Sequence, residues 1–154
     1  MAPHQTASPL WLGNVCLASV LLLTPRRIWA VLVAMTFAAF VLYDLQRGMA
    51  IDSIAWLNLA DAAEIFTAVF CLSYFFDGVP QLNSLKALAK FLLAAVILAP
   101  LIGAAMGASG RHGDYWTLVR ISFFSEALGY LTLMPAILGW FNIGLGWDLS
   151  LIHI

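Results

Sequence analysis

Between Ile54 and Phe76 the chain is almost continuously apolar, yet the stretch WLNLADAAEIFTAVF at its centre carries Asn58, Asp61 and Glu64. A run of this length crosses the hydrocarbon layer of a bilayer, which needs roughly 20 residues as a helix. With a rise of about 1.5 Å per residue, Glu64 falls roughly 15 Å in from Ile54, near the midplane of a layer about 30 Å thick. An ionised group facing lipid at that depth costs on the order of several kcal/mol. The face bearing the carboxyls must therefore turn into a bundle of helices.

The rest of the chain supplies such a bundle. Of its 154 residues 63% are hydrophobic and only 10% charged, with a formal net charge of -1. A water-soluble domain carries about a quarter of its residues charged, and one this small leaves about a third of its surface exposed, too much to hide so many apolar side chains. The fold class expected is an all-α, polytopic membrane bundle of about five transmembrane helices. Its segments run from Pro9 to Leu23, Ile28 to Leu45, Ile54 to Phe76, Leu85 to Ala108 and Trp116 to Trp140. The first, 15 residues long, is short for an untilted span. Residues 9–141 form one helical domain, and the apolar tail 142–154, broken by Gly144, Gly146 and Asp148, is either unassigned or the beginning of a sixth helix. The start MAPHQTAS has no Lys or Arg and the first run ends in TPRRIW, without a small-residue cleavage site, so that segment reads as retained.

The punctuation between segments is consistent with this division. TPRR, YDLQRGMAIDS and DGVPQLNS are polar turns, and Trp116 and Trp140 bracket the last span as interfacial rings. With the amino terminus outside, the inner loops hold Arg26, Arg27, Lys86 and Lys90 and the outer ones Arg47, Arg111 and Arg120, four against three. Arg120 lies a turn inside its helix; without it the count is four against two, which favours an outside amino terminus. Ala99, Gly103 and Gly107 recur every four residues, and Gly103 to Gly107 is a G-x-x-x-G, suited to close packing within the chain or to a homodimer. Pro100 and Pro135 remove backbone donors within their helices; Pro100 is expected to bend its helix.

Asp61 and Glu64, three apart, occupy neighbouring positions of one helix face, with Asn58 one turn toward the outer end. Carboxylates this close in low dielectric are expected to share a proton unless a cation compensates. The fifth segment offers Arg120, Glu126 and Tyr130, and depth favours a pairing of Arg120 with Asp61, Tyr130 or Trp116 closing the hydrogen bonds. Pro135, by freeing the Leu131 carbonyl, and Gly129, with no side chain, are expected to line a small polar pocket between the third and fifth helices. The candidate polar network is thus Asn58, Asp61, Glu64, Arg120, Glu126 and Tyr130, either a ligand- or proton-sensing site or an interhelical network that fixes packing.

Other chemistry finds no footing. Cys16 and Cys71 have no C-x-x-C spacing, His4, His112 and His153 lie far apart, and the seven Lys and Arg are scattered. No metal, no cofactor and no nucleic acid partner is therefore expected. No G-x-S-x-G, P-loop or H-E-x-x-H is present, and Asp61 has no second membrane aspartate, so the expectation is not an enzyme.

In order, the stretches SPLWLGNVCLASVLLLTPRRIW, NLADAAEIFTAVFCL with Glu64, LAKFLLAAVILAPLIGAAMGA and WTLVRISFFSEALGYLTLMPAILGW cover most of Ser8 to Trp140. This arrangement resembles the first type of bacterial membrane-associated sensor domain, an integral membrane input module. The resemblance puts a family glutamate at Glu64 and an acidic residue before Ala-Leu-Gly at Glu126, usually aspartate in the family; near the start, Leu12 and Gly13 stand where the family often has Pro and Gly after the tryptophan. It implies a multi-pass protein of the bacterial inner membrane that senses a small ligand, a proton or a membrane protein partner. It also implies further helices in typical members and a cytoplasmic histidine kinase or diguanylate cyclase output, as in two-component systems and diguanylate cyclase input modules. The alternative is a non-sensing structural or transport-related membrane fragment.

Overall fold

A computed structural model describes residues 12–111 and 113–150, the side chains of 142–150 excepted. Among these residues the structure is helical without strands: α1 (Leu12–Leu23), α2 (Trp29–Gln46), α3 (Ile51–Phe75), α4 (Leu85–Ser109) and α5 (Tyr115–Ser150). Four helical stretches, Arg26–Gln46, Ile51–Phe75, Leu85–Ser109 and Tyr115–Phe141, are long and apolar enough to cross a membrane. The bundle is membrane-spanning and all-α, as its composition requires. The described part of α1, 12 residues, is about 18 Å long, less than a full crossing.

The ends of the helices are fixed by local chemistry. Ser84 accepts a hydrogen bond from the Ala87 amide at 3.1 Å and opens α4, and Asp114 accepts from the Thr117 amide at 2.8 Å and opens α5. The side-chain and backbone hydrogen bonds of Thr117 hold the Asp114 carboxyl below the usual carboxylate range, so the cap stays charged at neutral pH and weakens only as acid protonates it. Lys90 Nζ donates to the Phe75 carbonyl at 3.0 Å, closing the last turn of α3. Trp29 Nε1 does the same for the Thr24 carbonyl at 3.1 Å after α1. Gly48, with φ of 73°, takes the left-handed turn between α2 and α3 that another residue enters only with strain.

Short turns make consecutive helices antiparallel. α1, α3, α4 and α5 close a ring in which α1 packs on α3 and α5, and α4 packs on the same two. Val15, Ala18, Leu21, Ile65, Val69, Leu72, Phe91, Tyr130 and Met134 fill its centre with no exposed surface. α2 leans on α1 and α3 from outside and contributes no buried residue.

The seam between α3 and α4 depends on glycine. Gly103 sits against Glu64, Gly107 faces Ala60 and Leu57, and the Trp56 ring fills the space a Cβ would take on Gly110, with Trp56 Nε1 donating to the Met106 carbonyl at 2.8 Å. The G-x-x-x-G thus serves packing within the chain, the first of its two expected uses. Pro100 acts through a π-helical turn, Leu92–Leu98, whose last bond runs from the Ala99 amide to the Ala94 carbonyl five residues back. The wider turn absorbs the ring and the missing donor that would otherwise break α4. The tail beyond Phe141 does not begin a sixth helix: the backbone of α5 continues unbroken to Ser150, and residues 151–154 lie outside the described part.

Candidate functional site

Midway along the ring, α1, α3 and α5 each direct a polar side chain at the same point. Asn14 is an isolated amide in the apolar α1 and is completely buried. Its Nδ2 donates to Asp61 Oδ1 at 2.9 Å and to Glu64 Oε2 at 3.2 Å, tying α1 to two successive turns of α3. Glu64 is 2% exposed and Glu126, from α5, 8% exposed. The two carboxyls lie within hydrogen-bonding reach of one another, with the Tyr130 hydroxyl beside Glu64.

The hydrogen bonds run out before the buried polar atoms do. Glu64 Oε1, Glu126 Oε2 and the Tyr130 hydroxyl are buried without a well-formed hydrogen bond. Two ionised carboxyls are acceptors only, so facing one another they leave both without a partner; a proton on one supplies the missing donor. α4 contributes no polar group here. It contributes absence of bulk, since Gly103 lets the Glu64 side chain lie flat on its backbone.

A small cavity of about 40 Å³ adjoins the pair, between α3, α4 and α5. Asp61, Glu64, Gly107, Ser122 and Glu126 line it, and Arg111, at the turn between α4 and α5, stands at its exposed end. A cavity of this volume accommodates a water molecule or two. Arg111 is also the cation whose charge acts on Asp61 and Glu126.

Of the residues expected in the network, Asp61, Glu64, Glu126 and Tyr130 converge. Asn58 does not join them: its Nδ2 bonds back to the Ile54 carbonyl of its own helix at 2.8 Å. Arg120 is exposed and acts on Asp114, so the expected pairing of Arg120 with Asp61 is replaced by Asn14 as donor and Arg111 as cation. Depth along the helix was the wrong guide, because Arg120 lies on the outward face of α5. Trp116 is 66% exposed and closes no bond in the site. Pro135 and Gly129 do not line the cavity, and Leu131, whose carbonyl Pro135 frees, is exposed.

Asn14 and Arg111 were not singled out from sequence. A lone amide in WLGNVCLASVLLL is the signal that marks Asn14, by the same reasoning that marks Glu64. Among the described residues no group of three or more His, Cys, Asp and Glu side chains is arranged to hold a metal ion. Comparison with protein-family models, curated proteins and solved structures gives no match.

Proposed function

We propose that this chain is the sensory input module of a bacterial signal-transduction protein, embedded in the inner membrane with its amino terminus outside. The buried cluster of Asn14, Asp61, Glu64 and Glu126 registers a small ligand, a proton or a membrane partner. A change in how α1, α3 and α5 meet there carries the signal to a cytoplasmic histidine kinase or diguanylate cyclase module.

One observation carries this reading: the cluster keeps buried carboxyl oxygens without well-formed hydrogen bonds midway along two helices long and apolar enough to cross a membrane. A network that only fixed packing gains stability by satisfying every polar atom or by using apolar ones, and an incompletely satisfied network is the costlier arrangement. Incomplete satisfaction at the meeting point of three helices is what a site that takes up something leaves behind. The resemblance of Ser8 to Trp140 to membrane-associated sensor domains supports the same reading.

The test is a Glu64→Gln variant carrying a fused diguanylate cyclase as reporter. The variant is expected to insert and fold, since the amide occupies nearly the same volume, while the reporter loses its response. An unchanged response removes Glu64 from any sensing role. Orientation is checked separately in a background without Cys16 and Cys71. A cysteine at Gly48 is expected to react with an impermeant reagent from outside the cell and one at Asp77 only after lysis; the reverse pattern inverts the topology.

A further inference from the structure

We propose that the species taken up by the cluster is a single proton, bound between Glu64 and Glu126 and exchanged only with the aqueous phase on the Arg111 side of the membrane. The proposal rests on reading the cluster as a sensing site and specifies what that site binds.

Three features of the geometry lead to it. First, the two carboxyls approach from different helices, α3 and α5, and each retains a buried oxygen without a donor. The nearby amide is already engaged: Asn14 Nδ2 serves Asp61 Oδ1 and Glu64 Oε2. A proton placed on one carboxyl turns it into a donor toward the other. Second, the space is too small for anything organic. Pockets that bind small molecules occupy about 300–1,000 Å³, whereas this cavity measures about 40 Å³.

Third, access is one-sided. The cavity lining leads from exposed Arg111 past Asp61 and Ser122 to Glu64 and Glu126. In the opposite direction the bundle is closed by Ile65, Val69, Leu72, Met134 and Leu138, all buried and apolar. A transporter requires access from both faces in turn; this arrangement gives equilibration with one face, as a sensor of that face requires.

The groups facing the pair can be named helix by helix among the described residues. α3 contributes Asp61 and α5 contributes Tyr130; the α4–α5 turn contributes Arg111, the cation closest to the cavity. α2 acts through Asp44 on Asp61. α1 presents Asn14, and α4 presents Gly103, Ala104 and Gly107, none of which titrates. At the cavity itself one cation thus faces three carboxyls, Asp61, Glu64 and Glu126, and a bound proton reduces the imbalance.

Infrared difference spectroscopy on the full chain in lipid nanodiscs tests this directly, through the carbonyl stretch of a protonated carboxylic acid. The wild type is expected to show one such band that is lost across a one-proton transition as pH rises. It is expected to vanish in Glu64→Gln and to shift in frequency in Tyr130→Phe. The side of exchange is read from Gly107→Ala, whose added Cβ meets Ala60 at 3.9 Å and Leu57 at 4.0 Å, an ordinary contact, while narrowing the cavity. This variant is expected to keep the band and slow its hydrogen–deuterium exchange severalfold. The proposal is overturned by a folded wild type without the band, by a band retained when Glu64 and Glu126 are both changed to glutamine, by unchanged exchange in Gly107→Ala, or by a band displaced by sodium at constant pH. A band that titrates while a fused output ignores pH upholds proton binding and removes the sensing reading instead.

Discussion

Replacing Gly103 with leucine is expected to prevent α3 and α4 from closing on one another, and even alanine at this position is expected to lower stability by about 2 kcal/mol, within the usual range for overpacking. A Cβ on Gly103 would lie 2.9 Å from Glu64 Cβ and 3.1 Å from its Cδ, besides touching Oε2. Glu64 has nowhere to retreat, since it is held by Asn14 and 2% exposed. The helices must then separate, and the contacts further along the seam, Leu57 on Gly107 and Trp56 on Gly110, loosen with them. Gly107→Ala is the matched control, because its Cβ fits. Denaturation in mixed micelles followed by circular dichroism compares the three. Equal midpoints for Gly103→Ala and the wild type would show that the seam does not depend on that glycine.

Asn14→Leu is expected to be of similar severity, costing about 3 kcal/mol, because a buried acceptor deprived of its donor incurs the full desolvation penalty and charged acceptors incur more. Here one substitution orphans the buried Glu64 Oε2 and takes the donor from the half-buried Asp61 Oδ1 as well. It also unties α1 from α3 at a place where side chains of the two helices are joined by hydrogen bonds as well as by packing. Ser19 provides the comparison within the same helix: it too is fully buried, but its hydroxyl bonds only the Val15 carbonyl one turn back, at 2.7 Å. Ser19→Ala is therefore expected to cost well under half as much in the same micelle assay. Comparable losses at the two positions would mean that Asn14 contributes bulk rather than its amide.

The spans and their turns were legible in the sequence because lipid imposes a simple requirement. Apolar runs of bilayer length must be helical, and the polar stretches between them must be turns. Glu64 and Glu126 were legible for the complementary reason, that a carboxyl in hydrocarbon must face inward. Rotation about a helix axis was not. Arg120 and Arg111 sit nine positions apart, and only the packing of α5 on α4 decides that the first points outward and the second over the cavity. Asn58 shows the same limit, since a polar residue on the expected face turns its amide nitrogen to its own backbone. Asn14 belongs to a helix too short to read securely as a span, and its partners lie 47 and 50 residues away, a separation that no local pattern reveals.

α2 packs on the core only through half-buried side chains such as Trp29, Leu32, Val33 and Phe37, so its remaining, exposed face is left to acyl chains, which do not distinguish one aliphatic shape from another. The order of the aliphatic residues on that exposed face then carries little information, and shuffling them among themselves should leave the fold intact so long as length and greasiness persist. Random mutagenesis would find this segment permissive beside an unforgiving α3, a contrast of neighbouring spans set by which solvent each one meets.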